Sequence, residues 1–196
     1  PSSRLGRSSA ASDVYKRQVI ESPVSVVKEL VENSIDAGAK NIVVEIKKGG
    51  KSYIRVTDDG RGIANDQMRL AFEKHTTSKI KDFSDLYDIY SLGFRGEALA
   101  SIVTVSQMQA ISKTENDPVG KKLEFLNTNI KESSIATNNG TSIEVMNLFS
   151  NVPVRKKFLK SDIAESNAIS KLMYSLAIGY SAVSYTHLTL PTSDLV

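Results

Sequence analysis

Residues 28–39 read KELVENSIDAGA and form the core of a predicted helix. Ser22 and Pro23 stand before them as an N-cap and a first helical residue, and Gly38, near the end of this stretch, is a helix stop. One side of this helix carries an apolar stripe made of Val24, Val27, Leu30, Val31 and Ile35. The pattern predicts a helix that begins at Pro23, ends just before Gly38 and packs one face on a core.

The opposite side of this helix is polar and contains Glu29, Asn33 and Asp36. Glu29 and Asn33 are four residues apart, so their side chains are neighbours on one face. A solvated helix face is the ordinary explanation for such residues. Asn33 is nevertheless unusual, because Asn is a mediocre helix former that prefers caps.

A second motif, DDGRGI at residues 58–63, follows a predicted β-hairpin. Apolar residues alternate at Ile42, Val44 and Ile46, the segment 48–51 (KGGK) turns the chain, and the alternation resumes at Ile54 and Val56. The hairpin therefore brings Asp58 to the end of a strand, with Gly60 and Gly62 just beyond. Asp-Asp-Gly is also a common tight turn, so this motif alone is weak.

The third motif, GFRGEAL at residues 93–99, is a glycine-bounded loop that leads into a short predicted helix at 97–101. Backbone N–H groups in such a loop can hold phosphate. In this order the three motifs provide a base, a metal-liganding amide, an aspartate that reads a nucleobase, and a phosphate loop. Together they indicate an ATP-hydrolysing site.

The remaining chain alternates helix and strand. Residues 65–73 read as helix, 74–79 as a polar loop, and 103–111, 122–126, 131–136 and 141–146 as strands, with a turn at 138–140. Apolar residues at 163, 169, 172, 173 and 176 predict a closing amphipathic helix. The segments favour an α+β fold: a two-layer sandwich of helices on a mixed, largely antiparallel sheet. A basic cluster (Arg155, Lys156, Lys157, Lys160) is either a solvated face or a DNA contact.

The composition sets limits on function. The chain has 196 residues, 40% hydrophobic and 24% charged, which suits one domain. A net charge of +3 permits a nucleic-acid partner without requiring one. The absence of cysteine excludes disulfides and thiolate metal sites and favours a reducing cytosol, and two histidines make a histidine zinc site improbable. No apolar run reaches the length of a membrane span.

Both ends differ from the middle. Residues 1–18 are rich in Ser and Arg without a helical or strand period, and residues 183–196 also break the preceding pattern. We expect both segments to be foreign to the domain, with a disordered native arm as the alternative, and we expect the ATP-binding domain to span residues 19–182.

Five stretches resemble the N-terminal ATPase domain of the MutL DNA mismatch-repair proteins, a branch of the gyrase, heat-shock chaperone, histidine kinase and MutL ATPases. They are KELVENSIDAGA, DDGRGI, KHTTSKI at 74–80, GFRGEALASI at 93–102, and GTSIEVMNLFSNVPVRKKFL at 140–159. The resemblance covers residues 19–182 in family order and implies a Bergerat-type ATP-binding fold. A topoisomerase or chaperone ATPase would carry a different lid from GFRGEAL.

The resemblance also implies roles. Glu29 matches the general base, Asn33 the Mg²⁺ ligand, and Asp58 the aspartate that accepts the adenine amino group. Gly62 matches the glycine that lets the base approach, with Ile63 beside it, and Thr141 a threonine near the adenine. Two segments match the lid and the phosphate loop: Thr76, Thr77, Ser78 and Lys79, then Gly93, Phe94, Arg95, Gly96, Glu97, Ala98 and Leu99. ATP and Mg²⁺ are the implied cofactors.

At the level of the parent protein, the family implies DNA, mismatch-recognition proteins and an ATP-dependent homodimer or heterodimer as partners, no membrane, and a cytoplasmic or, in eukaryotes, nuclear location. Residues 1–18 do not match the family's N-terminal segment, and the next domain, which supplies a lysine to the γ-phosphate, is not in this sequence. We therefore expect weak hydrolysis by this chain. The alternative is a non-hydrolysing, nucleotide-dependent interaction module, which the retained Glu29 disfavours.

Overall fold

A computed structural model describes residues 20–72, 96–126 and 129–191. Within these ranges the chain forms five α-helices, besides a short 3-10 helix at Lys48–Gly50: α1 (Pro23–Asp36), α2 (Met68–Ala71), α3 (Gly96–Val105), α4 (Pro153–Lys157) and α5 (Asp162–Gly179). It also forms seven strands: β1 (Asn41–Lys47), β2 (Tyr53–Asp58), β3 (Gln107–Lys113), β4 (Gly120–Leu126), β5 (Asn129–Ile135), β6 (Gly140–Met146) and β7 (Ser184–Thr189).

The strands make one sheet in the order β5-β4-β3-β6-β2-β1-β7. Every neighbouring pair is antiparallel except β1 with β7, which is parallel. This confirms the predicted α+β sandwich on a mixed, largely antiparallel sheet. Because β6 lies between β2 and β3, it brings residues from opposite halves of the chain together at the centre.

The core lies between the helices and one face of the sheet. Strand residues alternate, so Ile42, Val44 and Ile46 of β1 are buried against the helices, as are Ile54 and Val56 of β2. Helix α1 lies over β2 and contacts α5. None of the helices in the described ranges is long and apolar enough to cross a membrane.

The other face of the sheet is polar. Arg55 on β2 pairs with Glu45 on β1 and lies 3.7 Å from Glu144 on β6. On the same face the hydroxyl groups of Thr57 and Ser142 are 2.8 Å apart. This polar face is therefore the side of the sheet opposite the helices.

The predicted hairpin and the first helix are confirmed, with one correction. Helix α1 spans Pro23–Asp36, and Gly38 follows with a φ of +75°. Glu29 lies opposite the predicted apolar stripe, where a solvated face was the ordinary explanation, yet it is only 4% exposed. A helix held between a sheet and another helix is buried on more than one side, so the apolar stripe marks only part of its covered surface.

Two other predicted boundaries were wrong. In the described part of 65–73 only Met68–Ala71 is helical. The helix predicted for 97–101 continues to Val105, where a strand was predicted from Val103. A run of β-branched residues favours a strand locally, but the buried side chains of Ile102 and Val105 pack into the core from a helix.

The closing helix is confirmed as α5, but Ile163 is not part of its apolar face. Ile163 is 75% exposed, whereas Ile169, Met173 and Leu176 are buried. Ile163 lies in the first turn after the N-cap Ser161, whose hydroxyl accepts a hydrogen bond from the N–H of Ala164. The first turn packs on the turn between β1 and β2, where Glu165 is buried and Lys51 lies 2.7 Å from Asp162, and Ile163 stays exposed beside that contact.

The tail after Val183 contains strand β7, which pairs with β1 from Asn41↔Ser184 to Ile46↔Thr189. The disordered alternative is therefore wrong for Ser184–Thr189. The physical reason is the edge of β1, whose free N–H and C=O groups accept an added strand. The origin of this tail stays a prediction.

Candidate functional site

A cavity of about 290 Å³ opens between α1 and the central strands. Helix α1 forms one wall, β2 and β6 form the floor, and the loop after β2 closes one side. The lining residues are Leu30, Asn33, Ser34, Asp36, Ala37, Val56, Asp58, Arg61, Gly62, Ile63, Ala71, Leu99, Thr141 and Ile143. Five residues named from the sequence for adenine and metal binding therefore converge on one space: Asn33, Asp58, Gly62, Ile63 and Thr141.

The carboxylate of Asp58 is held by three donors at the floor of this cavity. Its Oδ1 accepts hydrogen bonds from the backbone N–H of Gly60 at 2.9 Å and of Thr141 at 3.2 Å. Its Oδ2 accepts one from the Ser34 hydroxyl at 2.7 Å. These donors come from the loop, from β6 and from α1, so the carboxylate has one orientation.

Burial raises the pKa of Asp58, and the three hydrogen bonds oppose that rise by favouring the charged form. The neighbouring charge of Asp59 adds to the rise. The net direction is upward from the ordinary value of an aspartate. Asp58 is thus a partly desolvated carboxylate. Its three hydrogen bonds favour the ionised form, which can accept a further hydrogen bond from a ligand.

The loop after Asp58 is fastened at several points. Asp59 Oδ1 accepts from the N–H groups of Lys40 and Asn41, both at 2.8 Å. The side chain of Asn41 and these N–H groups lower the pKa of Asp59. Arg61 donates its backbone N–H to the carbonyl of Ala37 and its guanidinium to the carbonyl of Asp36. The loop is therefore tied to the end of α1 and the start of β1.

Two glycines allow close backbone approach around this loop. A Cβ on Gly62 would lie 2.2 Å from the carbonyl oxygen of Lys113, and its φ is +73°. A Cβ on Gly140 would lie 2.0 Å from the carbonyl oxygen of Asp58, and its φ is +119°. Gly62 therefore has a structural requirement of its own, and its role in admitting a base stays a prediction.

A buried serine on β3 joins the loop to the start of β6. Ser112 on β3 is 0% exposed, and its Oγ accepts the N–H of Ile63 at 2.8 Å. The same hydroxyl lies 2.9 Å from both the carbonyl of Gly140 and the hydroxyl of Thr141. Ser112 thereby fixes Ile63 and Thr141 at the cavity wall.

Glu29 and Asn33 lie one helical turn apart on α1. Asn33 lines the cavity. Glu29 is buried but is not among the lining residues. The structure therefore places the predicted metal ligand in the cavity and the predicted base beside it, within the packed part of α1.

Some of the remaining site predictions fall on α3. This helix begins at Gly96 and includes Glu97, Ala98 and Leu99. Leu99 lines the cavity, whereas Ala98 is buried. The residues Thr76, Thr77, Ser78, Lys79, Gly93, Phe94 and Arg95 lie outside the described residues.

Reasoning from the sequence missed Ser34 and Ser112, although a signal was available for both. Ser34 is buried and continues the apolar spacing of Val27, Leu30 and Val31 on α1. Ser112 takes the inward position after Met108 and Ala110 on β3. A buried hydroxyl among apolar residues needs a hydrogen-bond partner, and the partners of both serines lie at the cavity.

Comparison with known proteins connects this geometry to a family. Residues 20–153 match the family model for histidine kinase-, DNA gyrase B- and HSP90-like ATPases. The chain is 48% identical to the DNA mismatch repair protein MutL of Clostridium perfringens over 177 residues, covering 89% of this chain and 26% of that protein. It is 52% identical to MutL of Dictyoglomus thermophilum over 170 residues, covering 86% and 29%.

A solved structure agrees in fold. The MutL ATPase domain of Aquifex aeolicus, complexed with ADP, superposes with a TM-score of 0.72 at 36% identity, covering 87% of this chain and 61% of that one. The chain spans about a quarter of the length of the curated relatives above. The chain belongs to the family of histidine kinase-, DNA gyrase B- and HSP90-like ATPases, in the branch formed by the MutL mismatch-repair proteins.

Proposed function

We propose that this domain is the ATP-binding and ATP-hydrolysing switch of a DNA mismatch-repair protein. The observation that carries the proposal is the Asp58 carboxylate, oriented by Ser34, Gly60 and Thr141 at the floor of a cavity of about 290 Å³. An ionised acceptor in an enclosed site binds an amino donor, and the 6-amino group of adenine is such a donor. The ADP complex of the Aquifex aeolicus relative supports this placement.

Mg²⁺ fits the donor chemistry of the cavity if it enters with the nucleotide. The described residues contain no group of three His, Cys, Asp or Glu side chains that would hold a metal by themselves. Mg²⁺ is commonly held by one or two protein oxygens together with substrate phosphates and water. We propose that the amide oxygen of Asn33 is such a ligand, and the ion would neutralise phosphate charge when bound.

Glu29 is the residue we propose as general base. It lies one turn before Asn33 on the same helix, so a water held near the terminal phosphate could lose a proton to its carboxylate. Its burial keeps the carboxylate in a site from which bulk water is excluded. Hydrolysis would then depend on Glu29, while nucleotide binding would depend on Asp58 and Asn33.

The experiment is Glu29→Ala in a longer protein that contains the following domain. General-base loss should lower ATP turnover by roughly 10²-fold or more and leave ATP affinity largely intact. Glu32→Ala is the matched control, because Glu32 lies on the same helix and pairs with Lys28 at 3.0 Å. Turnover near the unmutated rate in Glu29→Ala would contradict the role of base.

The activity of the whole protein is also a proposal. We propose that ATP drives dimerisation of the parent protein, that DNA and mismatch-recognition proteins are its partners, and that it works in the cytoplasm.

The basic residues Arg155, Lys156 and Lys157 form the last turn of α4 and are exposed, which suits contact with a phosphate backbone. Lys156→Glu together with Lys157→Glu should weaken DNA binding and leave ATP affinity unchanged; equal DNA affinity would assign these lysines to a solvated face.

A further inference from the structure

The loop between β5 and β6 ends in an exposed asparagine that is followed by a buried glycine. Asn139 is exposed, and Gly140 begins β6 beside Asp58. The sequence contains two pairs in which Asp or Asn precedes Gly: Asp59-Gly60 and Asn139-Gly140. Because glycine carries no side chain, its backbone nitrogen can approach the preceding side chain more closely than the nitrogen of any other residue can. These pairs are therefore the places where the main chain can react with a side chain.

The side-chain amide of Asn139 is free to turn toward that nitrogen. Within the described ranges this amide makes no hydrogen bond. The amides of Asn65, Asn147 and Asn151, in contrast, donate to other groups at 3.0, 3.1 and 2.8 Å. Exposure and rotational freedom thus make Asn139 the amide that is best placed to meet the nitrogen of Gly140.

The other pair, Asp59-Gly60, is protected by its hydrogen bonds. Oδ1 of Asp59 accepts the N–H groups of Lys40 and Asn41 at 2.8 Å, and Oδ2 accepts the Asn41 amide at 2.7 Å. These bonds, that from the Asn41 side chain above all, lower the pKa of Asp59 and keep it ionised. An ionised, fastened carboxylate is a poor target for a nucleophile, so this pair provides an internal comparison for the first.

We propose that Asn139 is a spontaneous modification site, whose deamidation loosens the contact between β6 and Asp58. The backbone nitrogen of Gly140 gives up its proton to solvent and attacks Cγ of Asn139, which forms a C–N bond. The bond from Cγ to Nδ2 then breaks, and the nitrogen takes a proton from water and leaves as ammonia. Water opens the cyclic imide at either carbonyl, which gives aspartate or isoaspartate. In isoaspartate the main chain runs through Cγ and is longer by one methylene.

The start of β6 has no room for a longer main chain. Gly140 lies against the peptide that joins Asp58 to Asp59, since a Cβ on it would be 2.0 Å from the Asp58 carbonyl oxygen. The next residue, Thr141, donates its N–H to Asp58 Oδ1 at 3.2 Å. A methylene inserted just before Gly140 therefore displaces this N–H from the carboxylate. The new acid also adds negative charge, because residue 139 lines a groove together with Asp58 and Asp59.

The site is tested by incubating the 196-residue chain at mildly alkaline pH, which favours loss of the Gly140 proton. Peptide mapping with electron-transfer fragmentation distinguishes isoaspartate from aspartate. Conversion should be fastest at Asn139, and residue 59 should stay aspartate. Asn138 is the matched comparison, because it is exposed in the same loop but is followed by a residue with a side chain. Equal conversion at Asn138 and Asn139 would overturn the proposed site.

The effect on β6 is measured as a melting temperature without nucleotide. The isoaspartate form should melt at least about 3 °C below the fresh chain, as expected for loss of a hydrogen bond to a carboxylate in a domain of this size. Fresh Asn139→Asp adds the charge without the methylene and should melt within about 2 °C of the unmutated chain. Asn139→Ser has no amide and should keep its melting temperature through the incubation. An isoaspartate form that melts like the fresh chain would contradict the displacement of Thr141.

The consequence for ATP rests on the proposed function, and its failure can be told apart. The isoaspartate form should bind ATP about 3- to 10-fold more weakly than the fresh chain, because Asp58 loses one of its orienting donors. If both forms bind ATP equally, the link from residue 139 to Asp58 is wrong and the proposed function stands. If the fresh chain binds no ATP, the proposed function fails, while peptide mapping and the melting temperature still decide whether Asn139 is the modification site.

Discussion

At the scale of single residues, Asp58 is the residue that we propose accepts the adenine amino group. A hydrogen bond to an ionised group is worth about 1.5–3 kcal/mol, so Asp58→Ala should weaken ATP binding by roughly 10- to 100-fold. The measurement is a titration of the 196-residue chain. Asp66→Ala serves as control, because Asp66 is an exposed carboxylate outside the cavity lining. If Asp58→Ala binds ATP as tightly as the unmutated chain does, this loop does not bind the adenine.

The raised pKa of Asp58 predicts a pH dependence of ATP binding. Only the ionised carboxylate accepts the amino group, so affinity should be constant at neutral pH and fall as the pH is lowered through the raised pKa. The fall should begin at a higher pH than it would for an ordinary aspartate. The charged groups around it are Asp59, which contributes to the rise, and Asp36 and Arg61 at the cavity wall.

Nucleotide phosphates also titrate, so this pH effect is measured as a difference. Asp58→Asn lacks the titrating group, and the ratio of its ATP affinity to that of the unmutated chain cancels the contribution of the nucleotide. We expect this ratio to change with pH below neutrality. A ratio that is flat down to pH about 4, close to the ordinary aspartate value, would contradict a raised pKa for Asp58.

Single residues also show how far the sequence could predict this site. Asp58, Asn33 and Thr141 carry motif signals, and the structure brings them to one cavity. Ser34 and Ser112 carry no motif, because their role depends on which strand lies opposite them. The burial of Glu29 likewise follows from tertiary packing, and the apolar stripe of one helix does not show what packs on its other sides.

At the scale of elements, the junction of β2 with β6 depends on a glycine. Gly140→Ala would place a Cβ 2.0 Å from the Asp58 carbonyl at a φ of +119°. Strain of this kind should lower the melting temperature by at least about 5 °C. Gly38→Ala is the matched control, since it has a positive φ but no heavy atom within 4 Å, and should lower it by only about 2–4 °C.

The melting temperatures are measured by circular dichroism without nucleotide. Equal shifts for Gly140→Ala and Gly38→Ala would show that the strand junction relaxes at little cost. Gly179→Ala adds a second reference, because that glycine ends α5 with no positive φ and no heavy atom within 4 Å. It should leave the melting temperature nearly unchanged.

Element types were more predictable than element ends. The alternation in β1 and β2 and the spacing in α1 indicate a strand pair and a helix directly. The end of α3 was misjudged because the segment from Val103 to Val105 is β-branched, yet its backbone continues a helix. Strand β7 was missed because its pairing depends on the open edge of β1, which lies far away in the sequence.

At the scale of the whole molecule, strand β7 offers a direct test of which parts the site requires. No residue of β7 lines the cavity, which is built from α1, β2, the following loop, α2, α3 and β6. Removing residues 184–196 should therefore leave ATP affinity within about 2-fold, a change of less than about 0.5 kcal/mol. If ATP binding is lost while the fold is retained, β1 must need its pairing with β7 to hold the loop after β2 in position.

The longer protein should behave differently from this chain. We expect the 196-residue chain to be monomeric and to hydrolyse ATP slowly, and a protein extended by a native N-terminal segment and the next domain to dimerise when ATP is bound. A ligand shifts an assembly equilibrium only through contacts made in the closed state. Light scattering with a non-hydrolysable ATP analogue measures this. Dimerisation and equal turnover by the shorter chain would show that the added parts are dispensable.

The position of β6 between β2 and β3 has a consequence for how the chain folds. The bond from Thr141 to Asp58 joins residues 83 apart in sequence, and the bond from Ile63 to Ser112 joins residues 49 apart. Pairings at such separation close slowly and late, so the proposed adenine site is complete only when β6 enters the sheet. We therefore expect nucleotide to bind only chains whose sheet is complete and to stabilise them by mass action, whereas partly folded chains gain no stability. In a cell with abundant ATP, we expect nucleotide to act as a selective stabiliser of molecules whose sheet is complete.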